Sequence, residues 1–454
     1  MSKNTKSRNP MIFANREGLA QQIGEWVGAQ FAGKPYCVIC VSENAEPGNF
    51  GFGFPPERGK LSFTRALVVF EGLPINLENV GRWRGWAMEK GAWDLQMNFL
   101  QIEATKESFC ELVRKSCHAW AATFPDRETV SISKGQFVRM PSEPTAKDDP
   151  SLLTMMFGSM GNLMTQVDLV ARRFRQACPL DRQKKEVSAY LDKIDKSLAS
   201  GKPTPGEKVP QLGVENLSDH LPKLLLRGAT GVGKTLIARY LHRNCGFEGR
   251  PLRVPIPEYL GKEDMFEYDL FGYARGAYTG GTEEGSHGLL LQNAGGVVFF
   301  DEIGEANEIL QAKLLAFLDD YRVRPRKWEG TPFYCPVLVV AATNQDLAEK
   351  AMNGRFRRDL LARFTDRHEI PLLKERVDDL PFILDCLLQR ESLNSGGIVR
   401  EIGQGAFEFV KNHGFEEGNF RQLEDLFRAA CQRAIRDGRT YLAADDFMQK
   451  RARL

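Results

Sequence analysis

The sequence lacks any long hydrophobic run. None of its apolar stretches approaches the ~18 residues that a membrane-spanning helix needs. The polar, basic N-terminus MSKNTKSRNP is not followed by the apolar segment of a secretory signal. Cysteine is also sparse, with nine residues among 454, an odd number that argues against a disulfide scaffold. We therefore expect a soluble, cytoplasmic protein.

The sequence also has almost no net charge. Its 61 Lys and Arg residues are balanced by 59 Asp and Glu residues, for a net charge of +2. Bulk nucleic-acid binding therefore gains no support from the overall charge. A hydrophobic fraction of 42% and a charged fraction of 26% are ordinary for globular proteins, which excludes a disordered or fibrous chain. The length predicts roughly two or three domains.

Hydrophobic patterns divide the chain into regions. Residues 1–140 mix strand-like and helical patterns and predict a small α+β domain, whereas 141–154 reads as an exposed linker. After Pro222, short apolar runs alternate with helical runs, which predicts a parallel sheet covered on both faces. These strand-like runs cover residues 224–227, 252–256, 296–300, 337–342 and 368–372. After Pro371 the strand pattern ends and helical patterns continue.

The strongest motif is GATGVGKT, which fits G-x-x-x-x-G-K-[ST] and lies between an apolar run and a helical run. The backbone N–H groups of such a loop can point at phosphate oxygens, and Lys234 can reach the β- and γ-phosphates. The Thr235 hydroxyl can hold Mg²⁺. The motif predicts a phosphate-binding loop made of Gly228, Ala229, Thr230, Gly231, Val232, Gly233, Lys234 and Thr235.

Two further polar positions follow apolar runs. In VVFFDE, Asp301 ends a buried strand beside the expected Mg²⁺ position, and Glu302 can accept a proton from an attacking water. An acidic pair in this context can also be a solvated strand end. Asn344 ends VLVVAATN, where its amide could orient water or touch the γ-phosphate, or could cap a turn.

Seven segments occur in a distinctive order: GATGVGKT, DLFGYARGAYTGG (269–281), FFDEIGE (299–305), LQAKLLAFLDD (310–320), AATNQDL (341–347), GRFRRDLLARF (354–364) and EGNFRQLEDL (417–426). This series resembles the AAA+ domain of bacterial enhancer-binding proteins, the ATPases that activate sigma-54 RNA polymerase. The resemblance implies an α/β fold, namely a P-loop NTPase with a parallel five-stranded sheet and a C-terminal helical lid. It places the α/β subdomain at 155–370, with an insertion at 176–220, and the lid at 371–454.

The resemblance also assigns roles to single residues, with ATP and Mg²⁺ as cofactors. Lys234 and Thr235 would be the Walker A pair, and Thr235 and Asp301 would hold the metal. Arg357 and Arg363 would act on the γ-phosphate of a neighbouring subunit, so the active form would be a ring, by analogy a hexamer. The implied catalytic residues are Asp301, Glu302, Asn344 (sensor I), Arg357, Arg363 and Arg421 (sensor II).

The sequence departs from this family in three places. The partner-engaging loop of the family reads GAFTGA, whereas this chain has Gly276, Ala277, Tyr278, Thr279, Gly280 and Gly281. The segment LRVPIPEYL lacks the asparagine that follows the second strand in the family. The sequence ends in YLAADDFMQKRARL, where the family continues into a DNA-binding helix-turn-helix. We expect any DNA binding to depend on the N-terminal region or on a partner.

Two functions are compatible with these features. The density of family motifs favours an ATP-hydrolysing ring that regulates sigma-54-dependent transcription, with an N-terminal regulatory or partner-binding domain. The loop GAYTGG and the absent helix-turn-helix favour an AAA+ remodeller or scaffold in a stress or phage-defence system, acting on another protein. In both cases the protein is an ATPase that acts on a protein partner.

Overall fold

The computed structural model describes residues 11–14, 36–41, 65–71, 82–83, 96–102, 137–138, 160–178, 180–200, 220–247, 251–277, 285–388 and 390–448. They belong to two compact units. The catalytic unit, as we name it, spans 166–229 and 233–370, and the other spans 1–165, 230–232 and 371–454. The division of the chain into four functional regions stays a prediction.

The centre of the catalytic unit is a five-stranded sheet in the order β12-β6-β11-β8-β7. Every neighbouring pair is parallel, as the alternation of strand-like and helical runs predicted. The strands are β6 (Lys223–Arg227), β7 (Leu252–Pro255), β8 (Val297–Asp301), β11 (Leu338–Thr343) and β12 (Asp366–Glu369).

The core of this unit lies along the three middle strands. Every residue of β8 and β11 is buried, and so are the first four residues of β6. Continuous apolar runs of this kind are expected where helices cover both faces of a parallel sheet. The registers Ala342↔Leu226 and Val340↔Phe299 align the carboxyl ends of the strands at one edge.

Helices connect and cover these strands. They are α1 (Gly161–Ala177), α2 (Leu180–Ser200), α3 (Lys234–Asn244), α4 (Glu263–Phe271), α5 (Gly288–Gln292), α6 (Glu308–Asp320), α7 (Leu347–Met352) and α8 (Arg358–Arg363). A short antiparallel hairpin joins β9 (Arg322–Val323) to β10 (Phe333–Tyr334). Helix α2 forms within the predicted insertion, of which residues 201–219 lie outside the described residues.

The N-terminal residues contribute a separate four-stranded sheet in the order β1-β2-β3-β4. Its strands are parallel throughout. They are β1 (Met11–Ala14), β2 (Tyr36–Val41), β3 (Arg65–Glu71) and β4 (Gln96–Ile102). Strand-like runs at 36–41, 66–70 and 97–102 of the sequence predict the last three of these strands but not β1. The linker predicted at 141–154 lies outside the described residues.

The C-terminal residues are mainly helical, as their pattern predicted. The helices are α9 (Leu380–Leu388), α10 (Gln404–Asn412), α11 (Asn419–Arg436) and α12 (Ala444–Phe447). Three strands of two residues were not predicted: β5 (Phe137–Val138), β13 (Glu401–Ile402) and β14 (Tyr441–Leu442). They form a small sheet of their own, and strands this short carry no periodic signal. No helix among the described residues is long and apolar enough to cross a membrane.

Candidate active site

The phosphate loop connects β6 to α3, in the strand–loop–helix context that its motif requires. Gly231 and Gly233 have φ angles of 80° and 106°, which favour glycine because a side chain would be strained there. The Lys234 side chain is buried and folds back over the loop. Its Nζ donates to the carbonyl oxygen of Gly228 at 2.8 Å and lies 3.4 Å from that of Ala229. The lysine charge is therefore held at the loop.

Glu302 lies directly beside this lysine. Its Oε1 is 3.3 Å from Lys234 Nζ, and its Oε2 accepts a hydrogen bond from the backbone N–H of Asn344 at 3.2 Å. The residue follows β8 in a left-handed conformation, with φ 54° and ψ 51°. Such a conformation is uncommon for a side chain larger than glycine and concentrates at functional sites. The backbone thus directs this carboxylate towards the phosphate loop.

Sheet order explains why these three residues meet. Lys234 follows β6, Glu302 follows β8 and Asn344 follows β11, and β11 lies between the other two strands. Carboxyl ends of adjacent parallel strands share one edge of the sheet, where α/β proteins bind their ligands. Asn344 reaches Glu302 through its main chain, while the role expected for its exposed side-chain amide stays a prediction.

Asp301 has a partner that the sequence did not indicate. The guanidinium of Arg253, on the edge strand β7, donates to Oδ2 of Asp301 from Nε at 3.0 Å and from Nη2 at 2.7 Å. Asp301 is buried at the end of β8, whereas Arg253 is largely exposed. These residues are 48 positions apart and meet only because β7 pairs with β8, so no local motif could have revealed the contact.

The donor set suits Mg²⁺ together with a nucleotide. Mg²⁺ prefers oxygen ligands and is commonly held by one or two carboxylates together with substrate phosphates. Thr235, exposed in the first turn of α3, offers a hydroxyl, and Asp301 offers a carboxylate. Within the described part of the chain, no cluster of three or more His, Cys, Asp or Glu side chains could hold a metal alone. The residues therefore fit a metal that is bound jointly with phosphates.

The two arginines expected to act on a neighbouring subunit are both exposed and both paired with carboxylates. Arg357 donates to Asp359, with a shortest distance of 2.8 Å, and Arg363 Nε is 2.6 Å from Asp319. The hydrogen bond from Arg357 lowers the pKa of Asp359 to about 2. The guanidinium of Arg357 and the carboxylate of Asp359 are therefore both charged at neutral pH.

Gln311 supports the first of these arginines, although the sequence alone did not single it out. Its side chain is buried in α6 and accepts the backbone N–H of Arg357 at 2.8 Å. Its amide also donates to the carbonyl oxygens of Ala306 at 2.7 Å and Arg355 at 3.2 Å. One buried amide thus holds the backbone that leads into α8.

The remaining predicted residues lie elsewhere. Arg421 is exposed in the first turn of α11, outside the catalytic unit, and its role stays a prediction. In the partner loop, Gly276 and Ala277 are described, and the carbonyl oxygen of Gly276 accepts from Lys327 Nζ at 2.9 Å. The other predicted residues of this loop, at 278–281, lie outside the described residues.

Part of the chain is similar in sequence to known proteins. Residues 210–368 match the family described as the Sigma-54 interaction domain. The transcriptional regulatory protein ZraR of Salmonella typhimurium is 33% identical over 208 residues, which are 46% of this chain and 46% of that regulator. An uncharacterized protein in the HyuA 5′ region of a Pseudomonas species is 34% identical over 220 residues, 48% of this chain and 73% of that protein.

The structure of NtrX from Brucella abortus in complex with ATP aligns with a TM-score of 0.42 and 16% identity, over 97% of this chain and 87% of NtrX.

The parallel sheet, the phosphate loop and the carboxylates at the strand ends define a P-loop NTPase fold of the AAA+ type. The chain belongs to the Sigma-54 interaction domain family. It spans less than half the length of the regulator ZraR.

Proposed function

We propose that this protein forms a ring that hydrolyses ATP and uses turnover to remodel sigma-54 RNA polymerase, as a regulator of transcription. The observation that carries this proposal is the contact of Glu302 with both Lys234 Nζ, at 3.3 Å, and the backbone of Asn344, at 3.2 Å. A lysine for phosphates beside a carboxylate that can accept a proton from water is the arrangement that ATP hydrolysis needs.

Each residue of the site has a separate task in this proposal. Lys234 places a positive charge against the β- and γ-phosphates, and Glu302 orients the attacking water and takes its proton. Asp301 and Thr235 hold Mg²⁺, which when bound neutralises charge on the phosphates. Asn344 fixes the orientation of Glu302 through its N–H group. Hydrolysis then depends on groups that strand order brings together.

The exposed arginines support a ring. Arg357 and Arg363 are on the surface of the catalytic unit, where a guanidinium can stabilise the charge of a phosphoryl group bound to a neighbouring subunit. Asp359 and Asp319 hold these arginines within the single chain. We propose that assembly exchanges these carboxylates for the nucleotide of the adjacent subunit, with a hexamer as the closed ring.

The experiment that tests the partner is co-sedimentation of sigma-54 with rings trapped by an ADP–metal-fluoride mimic of the transition state. In the proposed function, the aromatic side chain of Tyr278 binds the partner. Such an aromatic residue contributes about 2–3 kcal/mol of binding free energy through the area it buries. Tyr278→Phe should retain binding, and Tyr278→Ala should lose it while still hydrolysing ATP. If no form binds sigma-54 although all hydrolyse ATP normally, the sigma-54 assignment is wrong.

The sequence GAYTGG at 276–281 favours a second candidate function, remodelling of a different protein in a stress or phage-defence system. Compared with the GAFTGA loop of the family, this loop has an added hydroxyl at Tyr278 and a glycine in place of alanine at Gly281. A pull-down with Glu302→Gln, which should trap the ATP-bound ring on its partner, distinguishes the candidates. Recovery of sigma-54 supports the first function, and recovery of another protein in its place supports the second.

A further inference from the structure

The partner loop is attached to the catalytic unit through a short stem, which consists of residues 272–277 on one side and 285–288 on the other. Tyr273 and Ser286 join the two sides as an isolated antiparallel bridge. Each backbone N–H donates to the carbonyl oxygen of the other residue at 2.8 Å. Gly276 and Ala277, the first two residues of the predicted partner loop, belong to this stem, so the orientation of the stem sets where that loop begins.

Helix α2 contacts both sides of the stem. The carbonyl oxygen of Leu198 accepts the backbone N–H of Arg275 at 3.2 Å, on the first side. On the second side, Nδ1 of His287 lies 2.7 Å from Oδ1 of Asp195, within hydrogen-bond distance. The carbonyls in the last turn of a helix have no partner within the helix, so that of Leu198 is available to the loop.

The buried face of α2 strengthens this contact. Tyr190, Ile194 and Leu198 recur every four residues and are all buried, which places them on one side of the helix. The hydroxyl of Tyr190 donates to the carbonyl oxygen of Tyr334 at 2.8 Å and anchors the helix to β10. At the other end, a Cβ added at Gly285 would lie 3.3 Å from Leu198 Cβ. The helix therefore packs directly against the stem.

Helix α2 is a feature of this chain beyond the matched family region, which begins at residue 210, after the helix ends at Ser200. We propose that α2 is a brace that holds the stem in one orientation, with Asp195 and Leu198 as positioning residues for the partner loop. This inference takes the role of the partner loop from the proposed function, whereas the contact between α2 and the stem does not depend on that function.

The contacts named above between α2 and the stem use neither Lys234 nor Glu302. A brace made of one carboxylate–histidine pair, one backbone hydrogen bond and one apolar contact can be released without disturbing Lys234 or Glu302. The opposite face of α2 is exposed, with Asp192, Lys193 and Lys196 among its residues.

Hydrogen–deuterium exchange of the full-length protein tests the brace without any partner. In Asp195→Ala, exchange at the amides of Tyr273 and Ser286 should accelerate about two- to fivefold, the size expected for the loss of one partly exposed side-chain hydrogen bond. Asp192→Ala, which removes an exposed carboxylate of the same helix, is the matched control and should leave these amides unchanged. The exchanged pair Asp195→His with His287→Asp should restore slow exchange, and ATP turnover should be unaffected in all these variants.

A second variant keeps the test decisive. Leu198→Ala shortens the buried side chain that anchors this end of α2 and should also accelerate exchange at the stem amides. If neither Asp195→Ala nor Leu198→Ala changes stem exchange in folded protein, the brace does not exist. In the sigma-54 co-sedimentation assay, Asp195→Ala should raise the half-saturating sigma-54 concentration by a similar factor. If the stem loosens as expected but wild type does not bind sigma-54, the brace stands and the proposed partner fails.

Discussion

Arg253 on the edge strand β7 donates two hydrogen bonds to a single oxygen of Asp301, at 3.0 Å and 2.7 Å. A cation thus occupies one oxygen of the carboxylate that we assign to Mg²⁺. Guanidinium and metal would be attracted to the same negative charge, so that each disfavours the other at that oxygen. We therefore expect Arg253 to set how readily Asp301 accepts the metal.

Replacement of Arg253 should make the metal easier to bind. In Arg253→Gln, we expect the Mg²⁺ concentration for half-maximal nucleotide binding to fall about two- to fivefold, since a largely exposed ion pair contributes up to ~1 kcal/mol. The measurement is a titration of a fluorescent ATP analogue with Mg²⁺. Lys262→Gln, which removes an exposed cation elsewhere in the catalytic unit, controls for net charge. An unchanged or higher Mg²⁺ requirement would show that Arg253 orients Asp301 and does not compete for it.

Lys234 and Glu302 should separate binding from hydrolysis. Lys234→Ala should weaken ATP binding about 10- to 150-fold, as expected for the loss of about 1.5–3 kcal/mol from a hydrogen bond to a charged group. Glu302→Gln should bind ATP normally but slow turnover about 10²- to 10⁴-fold, the usual contribution of a general base. Calorimetric binding and a phosphate-release assay measure the two effects. Comparable turnover by wild type and Glu302→Gln would contradict the role of Glu302.

The surface arginines should act only across a subunit junction. Arg357→Ala or Arg363→Ala alone should slow turnover about 10³-fold or more, as for other arginines supplied to a phosphoryl group. Mixing either variant with Lys234→Ala subunits should restore part of the activity, because some junctions then pair an intact phosphate loop with an intact arginine. Mixed rings must first be demonstrated by cross-linking. Mixed rings as inactive as their parents would rule out action in trans.

Replacement of Gln311 should lower both the free energy of unfolding and the rate of ATP turnover. Gln311→Met keeps the volume but leaves Arg357 N–H without its acceptor, and the carbonyl oxygens of Ala306, which is buried, and Arg355 without their donor. We expect the free energy of unfolding to fall by about 1–3 kcal/mol, the cost of unsatisfied buried polar groups. ATP turnover should fall further than nucleotide binding, because Arg357 loses its fixed backbone. Urea denaturation and turnover measure these effects, and equal losses of binding and turnover would contradict this link.

Local sequence was sufficient for the elements whose causes are local. The motif GATGVGKT predicted a strand, a loop and a helix, and β6 and α3 flank the loop as expected. The reason is that glycines permit positive φ and that an apolar run before them can only be buried. Apolar runs likewise predicted four of the parallel strands of the catalytic unit within one residue at each end, whereas the fifth, predicted at 368–372, overlaps β12 (Asp366–Glu369) only at residues 368–369 because that edge strand is half-exposed and polar. Two-residue strands such as β13 contain too few residues for any period to appear.

Tertiary structure decided which distant residues meet. Motif order named Asp301 and Glu302, but only strand pairing put Arg253 on Asp301, and only the chain path after β8 gave Glu302 its left-handed backbone. The contact of Asp195 with His287 joins residues 92 positions apart. Such contacts depend on strand order and helix packing, which are set by the summed burial of the whole unit. A sequence pattern determines local backbone preferences, and the packed fold determines which side chains share a site.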